Sequence, residues 1–371
     1  MTTSKYYTDV GQLTMITEPE RARLKQMTDT FPFRMNDYYM KLANWNDPGD
    51  PIRRLVIPGR AELLEHELQA AGDANRYSVV PGVRHKYETT AQLMVAEVCN
   101  PYCRYCFRKH LLRKNPNDGL SDVEPGLRYI SEHPEIDTVW LTGGDGLALP
   151  AERLRYILGK LRDMEHVNII RLGTKLPIFD PLRICEAMEL LDAIHDYSTP
   201  DKRIYIMAHI HHPKEITPES KRAFRALHDA GAILVNHTTL LQGINDRAEV
   251  LSELLDKLTW AGLSPDYFSV NRPVPAHSEG GLTLQKIYRI VEKAKSRTSG
   301  LGKRVRLSMS HATGKIEILA IENGKAYLKY YESHQGDPGR FMIMECPEHA
   351  EWFDDLIPEG KAKLKQENAI G

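Results

Sequence analysis

Three cysteines fall within one short stretch, Cys99-Asn-Pro-Tyr-Cys103-Arg-Tyr-Cys106. Thiolates at this spacing can bind three irons of a cubane cluster and leave the fourth without a protein ligand. Such an iron can chelate a small molecule and deliver an electron to it. Zinc is a competing reading, because His110 would complete a Cys₃His set. Zinc sites usually pair their ligands as C-x₂-C knuckles, and here only Cys103 and Cys106 do so. A chance cluster of structural thiols is the third reading, and spacing alone leaves all three open. The chain has five cysteines. An odd, clustered set suits a metal site in a reducing compartment better than a disulfide framework. Cys185 and Cys346 have no evident partner and receive no role.

Two other groups have chemical potential. Gly143-Gly144-Asp145 follows the apolar run Thr138–Thr142. Paired glycines let the backbone come close to a ligand, and a carboxylate there can accept hydrogen bonds from an ammonium. A tight turn capping the next helix is the blander reading. Lys315 closes Ser310-His-Ala-Thr-Gly314-Lys315. A lysine becomes nucleophilic where its surroundings depress its pKa, and Gly314, Thr313 and Ser310 can contact a phosphate. For an arbitrary lysine, a solvated position opening a hairpin is the default.

Holding these groups together requires regular elements, and the chain changes character near residue 88. Before it, the sequence reads as polar and helical, with one helix opening at Pro19 to Arg23 and another over Ala61 to Ala71. Pro48, Gly49 and Pro51 break the region between them. After it, short apolar runs alternate with amphipathic stretches. The candidate strands are Gln92–Val98, Thr138–Thr142, Asn168–Leu172, Ile204–His209, Ile233–Asn236, Tyr267–Asn271 and Val305–Met309. The candidate helices are Ala151–Met164, Leu182–His195, Glu219–Ala230, Ala248–Ala261 and Leu284–Arg297. This alternation predicts an α/β fold with a parallel sheet and right-handed crossovers, an open or partial (β/α) barrel. In such barrels chemistry sits at the C-terminal strand ends, where the motifs above fall. Beyond Lys315, Ile316–Ile321 and Ala326–Tyr331 flank Asn323-Gly324 as a hairpin, and a tail with Trp352, Phe353 and Asp354 packs on the barrel. The expected divisions are 1–84, 85–315 and 316–371.

The 371 residues are 42% hydrophobic and 27% charged, with 49 Lys plus Arg against 50 Asp plus Glu. That balance supplies no electrostatic reason for a nucleic-acid partner. No apolar run is long enough to cross a membrane, and Met1 to Val10 lacks an apolar signal core, so a cytoplasmic protein is expected.

The cysteine segment is similar to the C-x₃-C-x₂-C motif of the radical S-adenosylmethionine superfamily, in which the residue before the third cysteine is aromatic, as Tyr105 is. The resemblance implies a [4Fe–4S] cluster on Cys99, Cys103 and Cys106. It also implies Tyr105 along the adenine of S-adenosylmethionine, and Gly143, Gly144 and Asp145 at its amino group. From about His85 to Gly324 the chain resembles the lysine 2,3-aminomutase family more closely. The matching stretches are His85-Lys-Tyr87, Cys99 to Arg108, Leu141 to Leu149, Arg171 to Pro177, His209 to Thr217, Asn236 to Asp246, and Thr298-Ser-Gly300. The fold this implies is a partial (β/α)6-type radical SAM barrel with a helical N-terminal extension and a small C-terminal hairpin and tail. The activity it implies is a 2,3-aminomutase that also uses pyridoxal 5′-phosphate, with an amino-acid-like substrate and an electron donor such as flavodoxin or ferredoxin. By the same resemblance Lys315 carries the pyridoxal, Arg108 pairs with the substrate carboxylate, Lys86 stands near the cofactor phosphate, and His209 and His237 lie near S-adenosylmethionine.

The resemblance breaks at two places. Lysine aminomutases hold the distal ammonium with two acidic residues. The first position aligns with Arg272, and the second lies within Arg306 to Gly314, which has no Asp or Glu. A buried ammonium needs a charge partner, so a substrate other than free lysine is expected, and Arg272 suits an acidic amino acid. The family's C-terminal zinc cysteines are also missing from residues 347–371, and Arg247 stands at the partner position in the barrel. No structural zinc is expected, and a homo-oligomer would need other contacts. The rival functions are a radical enzyme without pyridoxal, motivated by the single glycine before Lys315, a non-catalytic iron–sulfur protein, and a zinc-stapled binding module.

Overall fold

The computed structural model describes residues 4–28, 33–58, 77–106, 122–272, 281–333 and 339–358. Its strands in chain order are β1 (Tyr6–Tyr7), β2 (Met35–Asn36), β3 (Ser78–Val80), β4 (Val83–Tyr87), β5 (Thr90–Ala96), β6 (Thr138–Gly143), β7 (Ile169–Thr174), β8 (Ile204–Ala208), β9 (Ile233–Leu240), β10 (Ser264–Val270), β11 (Arg306–His311), β12 (Gly314–Glu322), β13 (Lys325–Ser333) and β14 (Phe341–Glu345). β3 to β14 form one sheet in sequence order. β5 through β11 pair in parallel. Each crossover between them carries at least one helix, as the alternation of short apolar runs and amphipathic stretches requires.

Side chains alternate across the strands. Leu141 and Ile170 join the core beneath the helices, while Trp140 and Arg171, one residue away, take the other face. A second core continues along the sheet, where Phe268, Leu307 and Ile316 meet helix Leu284–Ser296 and the tail residues Trp352, Phe353 and Leu356.

The sheet curls. The Tyr77 hydroxyl donates to the Ala312 carbonyl, and Lys86 Nζ donates to the His311 carbonyl. β4 and β11 stand seven strand positions apart, about 34 Å in a flat sheet, so contact demands a barrel-like curve. Side chains, not a backbone ladder, close this seam.

Some elements differ from the sequence expectation. The expected helix over 182–195 is two, Pro181–Glu186 and Met188–Tyr197, broken at Ala187, whose ψ of 67° is not helical. No glycine or proline marks that break. β10 starts at Ser264 rather than Tyr267 because its register shifts between Pro265 and Tyr267, a bulge that accommodates the proline. The N-terminal segment is less helical and less polar than it reads. It contains the β1–β2 pair and a core of its own, in which Val10, Leu13, Tyr39, Ile52 and Leu55 pack with Phe179 and Leu241 from the barrel. The expected helix over Ala61–Ala71 lies outside the described residues.

The hairpin β12–β13 turns at Asn323 (φ 50°) and Gly324 (φ 70°), the left-handed pair that matches strand twist. It is stitched into the main sheet, since β12 pairs antiparallel with β11 and sets Lys315 opposite Ser310. Lys315 therefore sits on a strand and shares its face with Glu317, while Ile316 and Ile318 face the core.

Candidate functional site

The cysteine segment leaves the C-terminal end of β5 and is fastened from two sides. Gly144 N donates to the Ala96 carbonyl at 2.5 Å, and Asp145 N donates to the Val98 carbonyl at 3.1 Å. Gly143 has φ 99°, and a Cβ on Gly144 would overlap the Val98 backbone. The glycine pair thus brings two backbone segments together at the strand ends. On the other side, Arg104 N donates to the Leu55 carbonyl of the N-terminal segment. Cys106 N donates to the Cys103 carbonyl at 3.1 Å, which closes a tight turn.

None of the three cysteines is in a disulfide, and burial pushes Cys103 up to about 11. Among the described residues no three His, Cys, Asp or Glu side chains share one metal position. Three thiols at this spacing are the donor set for three irons of a cubane with the fourth iron open. Arg108 and His110 lie outside the described residues.

Asp145 is buried, and its carboxylate is already used. One oxygen accepts from Leu147 N at 3.0 Å and the other from Lys175 N at 2.8 Å. It clamps the glycine turn to the end of β7.

That clamp leads into a buried polar layer. Lys175 is 4% exposed and Glu215 fully buried, with Nζ 2.6 Å from Glu215 Oε1. The same oxygen accepts from the Tyr39 hydroxyl at 2.5 Å, and Oε2 accepts from His211 N and His212 N at 2.6 and 3.0 Å. Lys175 also donates to the His209 carbonyl at 3.1 Å. His211 places Nδ1 3.1 Å from the Tyr105 hydroxyl, with ring centroids 4.4 Å apart. Burial beside Lys175 holds its pKa well below the usual imidazole range, so the ring is neutral.

Further round the barrel, Lys315 lies half-buried with Nζ 3.4 Å from the Tyr267 ring centroid. Its pocket is lined by Asp266, Tyr267, Arg306, Ser308, Glu317 and Tyr331. Burial lowers its pKa to about 8, against the opposing pull of Asp266 and Glu332. His237 belongs to this group. Its Nε2 is 3.0 Å from Asp266 Oδ2, its ring packs 3.9 Å from that of Tyr267, and burial lowers it to about 4. His209 stands between the two ends of the site, 5.9 Å from His237 ring to ring. Lys86 reaches this end through the seam at His311. Arg272 is partly buried just beyond the C-terminal end of β10.

Thr313, expected as a phosphate contact, is otherwise engaged. Its hydroxyl is 2.8 Å from both His311 Nδ1 and the Tyr330 hydroxyl. His311 in turn meets Asp354 at 3.2 Å and packs on Phe353, so the tail supports the turn before Lys315. Sequence reasoning missed Asp266, Lys175, Glu215 and His211 as parts of the site. Lys175, His211 and Glu215 lie in stretches that resemble the aminomutases, but burial and pairing are not visible there. Asp266 had no signal, because it sits ahead of the expected start of its strand.

The buried Trp140 Nε1, Ser308 Oγ and His211 Nε2 find no hydrogen-bond partner among the described residues. Unmet buried polar atoms of this kind ask for a polar ligand. Ser308 lines the Lys315 pocket, and Trp140 packs edge-on against His237.

The sequence model of the radical SAM superfamily matches residues 93–255. A protein of Aquifex aeolicus (strain VF5) named putative L-lysine 2,3-aminomutase is 40% identical over 367 residues, covering 97% of this chain and 98% of its own. The L-lysine 2,3-aminomutase of Clostridium subterminale is 34% identical over 68% of this chain and 60% of its own. The glutamate 2,3-aminomutase of Clostridioides difficile (strain 630) is 30% identical over 80% of this chain and 70% of its own.

Proposed function

Because the chain belongs to the lysine 2,3-aminomutase family of the radical S-adenosylmethionine superfamily, an isomerase family, we propose that it is a pyridoxal-phosphate-dependent amino-acid 2,3-aminomutase whose substrate is an acidic amino acid. Superfamily membership brings a [4Fe–4S] cluster and S-adenosylmethionine. When bound, these supply a 5′-deoxyadenosyl radical that abstracts hydrogen, and pyridoxal phosphate supplies the π system through which nitrogen moves to the neighbouring carbon.

The observation that carries the pyridoxal assignment is Lys315. It faces the barrel interior on β12, above the Tyr267 ring, in a pocket whose burial holds the amine near pH 8. A lysine in that range is neutral often enough to attack a carbonyl. Asp266, paired with His237, keeps the pocket from repelling the protonated form outright. Cys99, Cys103 and Cys106 hold the cluster. Gly143 and Gly144 let their turn close against the backbone of the segment that carries it, and Asp145 fixes that turn, so its part at the amino group is positional. Arg108 pairs with the substrate carboxylate, Lys86 with the cofactor phosphate, and a one-electron donor of flavodoxin or ferredoxin type feeds the cluster.

The attachment chemistry has a definite pH sign. The unprotonated amine is the nucleophile, and its folded pKa lies below that of free lysine. Pyridoxal phosphate should attach about tenfold faster per pH unit between pH 6 and 7 and level off above about pH 8. A surface lysine would keep gaining to about pH 10. Stopped-flow absorbance reads the rate, and borohydride trapping with peptide mass analysis should put the label on Lys315. A label elsewhere, or none, removes the amino shift and leaves a radical enzyme without pyridoxal.

The substrate assignment rests on depth. Chemistry in parallel barrels occurs at the C-terminal strand ends. Arg272 follows the C-terminal end of β10, while Asp266 lies near its start, about 13 Å lower along the strand. The acids beside Lys315 are therefore placed for the amine, not for a distal ammonium at the mouth. Turnover of glutamate or aspartate, with little of lysine, is the expected result for the reconstituted enzyme. Preference for lysine would assign Asp266 or Glu317 to the distal ammonium instead. Arg272→Gln should raise KM for the acidic substrate by about a hundredfold, the worth of one charge-assisted pair.

A further inference from the structure

One cation inside the barrel has no partner. Arg171 stands in the middle of β7, in register with Trp140 on β6, and both side chains face inward, away from the helix-covered core. Arg171 is half-buried. Among the described residues its guanidinium forms no hydrogen bond and no ion pair. Asp266 feels its charge, yet gives its carboxylate to His237 at 3.0 Å. Taking a guanidinium out of water without a countercharge is costly, so an unpaired one facing a reaction cavity points to an anionic ligand.

Trp140 supplies a further donor, because its buried indole Nε1 is unmet. Gly173, two residues after Arg171 on the same face, keeps the space beside that donor open. A Cβ on Gly173 would lie 3.0 Å from Trp140 Nε1 and 3.7 Å from His209 Nε2. A run of ring contacts links this corner to the attachment lysine. Trp140 meets His237 edge-on with centroids 6.1 Å apart, the His237 and Tyr267 centroids are 3.9 Å apart, and Lys315 Nζ is 3.4 Å from the Tyr267 centroid. The charge of Arg171 also reaches Lys315 itself.

We propose that Arg171 and Trp140 form an oxyanion subsite inside the barrel, which binds an anionic group of the molecule held at Lys315. The guanidinium fork and the indole N–H present their donors from neighbouring strands toward the same interior space, and a fork of this kind pairs with carboxylate and phosphate alike. Two groups carry that chemistry here, the phosphate of pyridoxal phosphate and a carboxylate of the substrate. The inference rests on the proposed attachment at Lys315 for what brings the anion, and on Arg171 and Trp140 for what binds it.

Arg171→Gln keeps a polar side chain and removes the charge. Absorbance titrations of the cluster-loaded protein compare pyridoxal phosphate with pyridoxal, which lacks the phosphate. If the phosphate occupies the subsite, the variant should bind pyridoxal phosphate about ten- to a hundredfold more weakly and pyridoxal as wild type does. If a substrate carboxylate occupies it, pyridoxal phosphate should bind normally, and the spectral response of the loaded protein should need about ten- to a hundredfold more glutamate or aspartate. Trp140→Phe keeps an aromatic ring and removes the N–H, and should show a loss of roughly three- to tenfold in the same titration. Equal losses for pyridoxal phosphate and pyridoxal would mark structural damage, and wild-type values throughout would leave no anion on Arg171. Either result overturns the proposal. Failure of the pyridoxal reading looks different, because wild type itself would then gain no cofactor absorbance. Inorganic phosphate and glutarate then serve as the probes. A denaturation midpoint raised by either one in wild type but not in Arg171→Gln supports the subsite, and equal shifts in the two proteins, or none, overturn it.

Discussion

Lys315→Ala is expected to abolish the visible absorbance band that wild type gains with pyridoxal phosphate, and to lower turnover by at least about a thousandfold, the range typical of a lost covalent-catalysis group. The cluster spectrum should be unchanged, because Lys315 belongs to the His237 and Asp266 end of the barrel and not to the cysteine turn. Lys315→Arg should fail equally, since a guanidinium keeps the charge but does not attach a carbonyl. A structural role would predict the reverse order of damage, with arginine tolerated. Stability offers a second, independent readout. The folded pKa of about 8 lies below the usual lysine value of 10.5, so the unfolded chain binds the proton more tightly. Lys315 therefore costs stability below about pH 8, and that cost disappears as pH rises through the folded pKa toward the unfolded one. Lys315→Met should accordingly unfold at higher denaturant concentration than wild type at pH 7, with the advantage shrinking by pH 10. An unchanged absorbance band in Lys315→Ala would move the attachment point elsewhere and sink the assignment.

Lys315 also shows what a sequence makes legible. Its candidacy came from a motif, and its default reading was a solvated hairpin opening. What separates the two is pairing. β12 returns antiparallel along β11, so an alternation of two puts Ile316 and Ile318 in the core and turns Lys315 and Glu317 inward. The alternation was present in the sequence, but the side to which it pointed depended on the pairing with β11, which the alternation itself does not specify. The parallel strands were readable for a similar reason. Each is a short apolar run between amphipathic helices, and that pattern has few solutions. The Lys175–Glu215 pair was not readable. The two residues lie forty apart on separate crossovers, and each looks like an ordinary surface charge until the N-terminal segment covers them with Tyr39. The backbone contacts of Asp145 were hidden on the same ground. A carboxylate after two glycines suits an ammonium, yet its oxygens are taken by Leu147 N and Lys175 N, backbone donors whose approach no local sequence announces. The break at Ala187 is a third case, because no glycine or proline marks it.

Among the described glycines, Gly144→Ala is expected to be the most damaging single-methyl change. A Cβ at this position would overlap the Val98 carbonyl and crowd the Val98 amide, which are backbone atoms that cannot swing aside. Relief requires the glycine turn to part from the cysteine segment, breaking the bonds from Gly144 N to Ala96 and from Asp145 N to Val98. The cost of forced overpacking plus two lost backbone hydrogen bonds is about 3 kcal/mol or more. The failure should be local first. The parallel sheet and its cores do not depend on this contact, so far-ultraviolet circular dichroism should stay near wild type while reconstituted iron content falls by more than half. Gly143→Ala should resemble it, for a second reason, since φ of 99° strains any L side chain. Asp145→Asn discriminates between the two readings of this motif. As a clamp, the amide keeps one acceptor oxygen and loses the other, so the turn should loosen by about 1 to 2 kcal/mol with a proportionate loss of cluster. As a direct ligand of the S-adenosylmethionine ammonium, the same change would leave iron content intact and weaken only the affinity for that molecule. Cluster content and S-adenosylmethionine affinity, measured side by side, decide whether the carboxylate acts on the cofactor or on the two backbone segments that frame it.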